Sequence, residues 1–92
     1  MKSYASVDRI EGNYCVCEVE LIDVENSSST DFFEKETEMM DVLLEYVLEN
    51  VKEVKEGDIL IVEHINDNVI YVFGKDEQEK NRRIEILKQL QA

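Results

Sequence analysis

The chain has no proline and no tryptophan, and only one histidine, two cysteines and three glycines among 92 residues. Each scarcity excludes something. His64 has no second imidazole to share a metal with, and Cys15 and Cys17 alone leave a tetrahedral site short of ligands. A redox pair would more usually be Cys-x-x-Cys at a helix start. No glycine-rich run resembles a phosphate loop. Asp67 stands between two asparagines, but the glycine and distal glutamate of a calcium loop are missing. No stretch approaches the ~18 apolar residues of a membrane span, and Met1-Lys2-Ser3-Tyr4 opens no signal-peptide core. These absences predict a cytoplasmic protein with reduced thiols, no membrane association, no cofactor and no metal, and one that is not an enzyme.

What the chain has in abundance is acid. Twenty-two Asp and Glu face ten Lys and Arg, giving a net charge of -12. The excess is uneven, since residues 31–58 hold ten acids and three bases whereas residues 59–92 hold six and five. Such a field repels nucleic acid and favours basic partners, or else serves solubility alone. A hydrophobic fraction of 43 % is that of an ordinary globular domain and argues against disorder.

The length fits one domain, residues 1–92. Residues 4–22 read as a hairpin: Cys15, Cys17, Val19 and Leu21 alternate with Val16, Glu18 and Glu20. A two-residue Gly12-Asn13 loop would set Val7 opposite Glu18. A three-residue Glu11-Gly12-Asn13 loop sets Val7 opposite Cys17 and Ala5 opposite Val19, which keeps one face apolar and is the expected register. Residues 59–73 form a second hairpin around Asn66-Asp67-Asn68. Asp76 and Glu79 open a helix over residues 77–91 through a capping box, and its stripe of Ile84, Leu87 and Leu90 is expected to pack on the sheet. The first half of that helix has no apolar face and should meet solvent or charge. Cys15, Cys17, Val19, Val7, Ile61 and Val72 are expected in the core.

Between the hairpins lies the acidic middle segment, residues 31–58. Asp31 and Glu34 could cap a helix starting near Phe32, with Met40, Leu43, Leu44, Val47, Leu48 and Val51 on one face. Residues 37–44 read equally well as a third strand, and periodicity leaves both open. The expected fold class is α+β: a small curled antiparallel sheet or barrel built from two hairpins, with a packed C-terminal helix.

Val7-Asp8-Arg9-Ile10-Glu11-Gly12-Asn13-Tyr14, followed by Cys15-Val16-Cys17-Glu18, resembles the opening of a family of small bacterial domains of unknown function. Those domains begin with Val-Asp-Arg-x-Glu-Gly, later carry a Lys-Glu-Gly-Asp turn, here Lys55-Glu56-Gly57-Asp58, and end in a charged helix. The likeness covers residues 5–22 and 52–90. It implies a small β-rich domain and no particular activity. The acidic middle is longer here than in that family and lacks its proline-containing turn.

If residues 41–49 are helical, Asp41, Glu45 and Glu49 line up at i, i+4 and i+8, where like charges repel. A surface that docks into a basic groove would make use of that arrangement. The expected partner-binding residues are therefore Glu34, Glu38, Asp41, Glu45 and Glu49, with Phe32, Phe33 or Tyr46 as aromatic anchors or as core. The expected function is a non-catalytic acidic protein-interaction module for a basic protein partner, such as a nucleic-acid-handling enzyme whose binding surface it would occupy. In kind, though by no motif, this is similar to the acidic phage-type nuclease inhibitors, anti-CRISPR proteins among them. The alternatives are a housekeeping accessory domain and a small-ligand or metal-binding module.

Overall fold

The computed structural model describes residues 1–27 and 35–91. Its elements run β1 (Lys2–Glu11), β2 (Tyr14–Glu20), α1 (Val24–Ser27), β3 (Thr37–Leu43), α2 (Leu44–Leu48), β4 (Ile59–Ile65), β5 (Asn68–Lys75) and α3 (Glu77–Gln91). The strands make one antiparallel sheet in the order β3-β2-β1-β4-β5. It curls into a half-barrel with α3 across its outer face, an α+β fold as the two-hairpin pattern predicts. No helix among the described residues is long and apolar enough to cross a membrane.

The first hairpin has the expected register by an unexpected route. Ala5 pairs with Val19 and Val7 with Cys17, yet Glu11 pairs with Tyr14, so the loop is the two-residue Gly12-Asn13 turn. Gly12 sits at φ +55°, where lacking a Cβ is an advantage. The shift is absorbed by a bulge at Asp8, between Val7 and Arg9. One extra residue in β1 thus restores the apolar face that the short turn would have flipped outward.

Thr37–Leu43 is strand, not helix. Cys17 pairs with Met40 and Cys15 with Val42, so alternate residues of β3 enter the core beside β2. Among the described residues between β2 and β4 that follow β3, the helix is the five residues of α2, which buries only Val47. Of the expected helical face, Met40 is buried from the strand, Val51 from the segment after α2, and Leu48 is exposed. The cap pair Asp31 and Glu34 lies outside the described residues. The core itself joins Ala5, Val7, Cys15, Cys17, Val19, Leu60, Val62 and Val72 with these middle residues. Ile61, expected in it, is half-buried because it faces the other side of β4 from Leu60 and Val62.

The C-terminal helix is correctly bounded but packs by its other half. Ile84, Leu87 and Leu90 are 41, 40 and 58 % exposed, whereas Glu79 and Arg83 are buried. Asp76 Oδ1 accepts the Glu79 N–H at 2.9 Å, the forward half of a capping box. The Glu79 carboxylate does not return the bond. It accepts instead from Arg82 and Arg83.

Candidate functional site

The five described residues expected to bind a partner do not form one line. Pleating sends Glu38 and Asp41 to opposite faces of β3, and Glu45, Tyr46 and Glu49 lie on or just after α2. All five are exposed. Phe32 and Glu34, with Phe33, lie outside the described residues. The i, i+4, i+8 row of acids therefore does not exist, because its first member is on a strand.

What the fold does assemble is a slot between the two ends of the half-barrel. The sheet's edges, β3 and β5, approach each other without pairing, and α2 leans over the gap. Tyr46 and Glu49 from α2 and its end meet Val42 of β3 and Val69, Ile70 and Tyr71 of β5 around a hollow of about 260 Å³. Tyr46, Ile70 and Tyr71 are each more than half exposed. The Asn50 side chain donates to the Val72 carbonyl at 2.7 Å, capping one point of the β5 edge. Glu45 flanks a second hollow with Leu44 and Leu48 on the far side of α2. Of the residues around this hollow, the acidic pattern of the sequence marks Tyr46 and Glu49 but not Ile70 and Tyr71. A strand with exposed apolar residues on its edge looks, in one dimension, like any buried strand.

Beneath α3 lies a different assembly. Glu20, at the end of β2, is 5 % exposed and meets Arg83 Nη1 at 2.8 Å and Lys35 Nζ at 3.6 Å. Burial pushes the Lys35 ammonium below its ordinary pKa, against the pull of Glu20. Arg83 Nε reaches Glu79 at 2.7 Å and its guanidinium stands 5.1 Å over the Tyr4 ring. Asp58, fully buried, accepts from Lys80 Nζ at 2.8 Å and from the Lys55 N–H at 2.9 Å, with Lys75 Nζ at 3.6 Å. Burial alone would raise the Asp58 and Glu79 pKa values. The bonds to Lys80 and Lys55, and to Arg82 and Arg83, outweigh it and hold both carboxyls below the usual range. The Lys-Glu-Gly-Asp turn thus supplies the anchor for the terminal helix. Gly57 takes φ +89° and its N–H donates to the Val7 carbonyl beside the bulge.

The remaining candidates are structural in their surroundings. His64 Nε2 lies 3.1 Å from Ser3 Oγ, a serine–histidine contact between β1 and β4. Ser3 is fully buried and its hydroxyl donates to the Ile22 carbonyl at 2.8 Å. The Cys15 and Cys17 sulfurs are 3.7 Å apart and fully buried as free thiols. The bond from Cys15, with burial, pushes the Cys17 thiol far above its usual range. Among the described residues, no three His, Cys, Asp or Glu side chains cluster to hold a metal ion. Comparison of the chain with protein families, with curated proteins and with solved structures finds no match.

Proposed function

We propose that this protein is a non-catalytic acidic interaction module that binds a basic, extended segment of a protein partner at the slot between β3, α2 and β5. The observation that carries this reading is the coincidence of exposed Tyr46, Ile70 and Tyr71 with Glu49 at the point where two sheet edges stay unpaired. Apolar and aromatic anchors with a charged rim are the make-up of interaction surfaces. Free strand edges accept an added strand through backbone bonds. Glu45, Asp41 and Glu38 extend the negative field beside the slot, and the net charge of -12 makes a cationic partner the electrostatic complement. In the decoy form of this reading, the partner handles nucleic acid and these carboxylates take the place of phosphates in its basic channel.

The test uses a defined probe, a ten-residue peptide alternating lysine and valine, titrated into the isotopically labelled full chain. Amide shifts should concentrate on residues 68–73 and 42–50, and affinity should fall steeply with salt. Tyr46→Ala should weaken binding, and Asp41→Lys with Glu45→Lys and Glu49→Lys should slow association by about tenfold. Shifts spread over the whole acidic surface, or charge reversals without effect, would overturn the reading.

A further inference from the structure

We infer that the partner at the slot binds as an added strand on the edge of β3, and that it is a segment whose side chains alternate between aliphatic and cationic. This rests on the proposed slot and adds which edge is read, in which phase and by what pattern. The two free edges are not equivalent. β3 pairs with β2 without a break from Thr37 to Leu43, whereas the register between β4 and β5 shifts twice. The β5 edge is also partly taken. Asn50 Nδ2 donates to the Val72 carbonyl at 2.7 Å, and Lys75 Nζ donates to the Glu53 carbonyl at 3.1 Å, which holds the chain after α2 against the end of that strand.

The phase of the β3 edge follows from the bonds at its two ends. The Leu21 N–H donates to the Glu36 carbonyl at 2.9 Å, and the Leu44 N–H to the Asn13 carbonyl at 2.8 Å. Hydrogen-bonded pairs recur at every second residue of an antiparallel ladder. Glu38, Met40 and Val42 therefore turn their backbone groups toward β2, and Thr37, Met39 and Asp41 turn theirs away. Among the described residues, nothing bonds to the backbone of those three. Open space lies beside them. A hollow of about 640 Å³ joins Glu38 to Ile65, Asn66 and Asp67, and the slot's hollow joins Val42 to Val69 and Ile70. A step from Glu38 to Val42 matches a step from Asn66 to Ile70. The edge of β3 and the second hairpin thus run alongside each other with hollows where ladder bonds would be.

The pattern follows from the pleat. A strand bonded to Thr37, Met39 and Asp41 sends alternate side chains to the two faces of the sheet. One row points to the hollows, where Leu21, Ile65 and Ile70 stand exposed. Aliphatic side chains suit that row. The other row lies on the outer face beside exposed Asp41 and beside exposed Glu18, which pairs with Met39. Cationic side chains complement that row, since opposite charges across a strand pair attract. The backbone bonds supply attachment and the two rows supply selectivity.

The experiment compares the alternating lysine–valine peptide with a peptide of the same composition that has all its lysines first, each titrated into the labelled full chain. The blocked peptide should bind about tenfold more weakly, because its charge is equal but its rows are scrambled. Amide exchange at Thr37, Met39 and Asp41 should slow about tenfold in the complex with the alternating peptide. N-methylating one alternate set of that peptide's backbone amides should weaken it by about tenfold, and methylating the other set should change little. Met39→Pro removes an outward N–H and no ladder bond, so it should keep the melting transition and weaken the alternating peptide comparably. Equal binding of the two peptides at residues 42–50 and 68–73, free exchange of the three amides in the complex, or indifference to both methylations would overturn strand addition and leave the slot reading standing. No shift at those residues with either peptide would overturn both.

Discussion

The two faces of one sheet are held by opposite chemistries. The inner face is sealed by Leu60, Val62, Val19, Cys15 and Cys17, all fully buried and uncharged, with Val47 from α2 folded over them. The outer face holds α3 chiefly through Glu20, Glu79, Asp58, Arg83 and Lys80, while the helix's own apolar residues remain half in solvent. Apolar burial is non-directional and degrades gradually with lost area. Buried ion pairs tolerate little, because removing one partner strands the other without water. A small domain that spends its apolar residues on one face has few left for the second, and here charge attaches the last helix.

The largest effect should separate the faces most sharply. Val19→Asp puts an unpaired charge where no cation can reach it and should abolish cooperative melting of the whole domain, read by circular dichroism. Retention of a cooperative transition would mean that the core is looser than its burial implies. Next, Arg83→Met leaves Glu20 and Glu79 without their shared cation. It should cost about 3 kcal/mol, and amide exchange should place the loss on α3 while the hairpins stay protected. Loss of protection throughout the sheet would show instead that the faces are one cooperative unit.

Acid should release the same helix without mutation. Glu79 and Asp58 sit below their ordinary values of 4.5 and 3.8, so their contribution to stability is complete above those values. It is lost as pH falls further and the folded-state carboxyls take up protons. The α3 amides should therefore lose protection below about pH 4 before those of β1 and β4. Sheet and helix amides failing together would break the contrast. The smallest effect is expected from Leu90→Gln. At 58 % exposed, this residue should move stability by less than about 0.5 kcal/mol in a thermal melt.

The sequence made most strand positions legible, because period-2 alternation survives wherever one face is dry. The Gly-Asp and Asn-Asp-Asn turns and the Asp76 cap mark the bounds of Ile59–Ile65 and the start of Glu77–Gln91. Three features were not legible, each for a physical reason. The Asp8 bulge is invisible because any residue can be the extra one, so the apolar pattern gives the Val7–Cys17 register but not the two-residue loop. Residues 37–43 carry apolar side chains spaced for either helix or strand, and only pairing with β2 decides between them. The amphipathic stripe of α3 pointed to packing through Ile84, Leu87 and Leu90, but the buried contacts of Glu79 and Arg83 set the helix by its other half. The slot was half legible. Charge and position in the sequence point to Tyr46 and Glu49, whereas Ile70 and Tyr71 join them only through the closure of the barrel.

The two unpaired edges also bear on the protein's behaviour in bulk solution. Neither β3 nor β5 carries a proline, and β5 presents Ile70, Tyr71 and Phe73 to solvent. Mutual repulsion between molecules of net charge -12 opposes pairing of one such edge with another. That repulsion vanishes near the sequence isoelectric point of about 4.3, so colloidal stability should be lowest there. In the proposed reading, the acidity that would suit the slot to a cationic partner would also oppose growth of an open half-barrel into a continuous sheet.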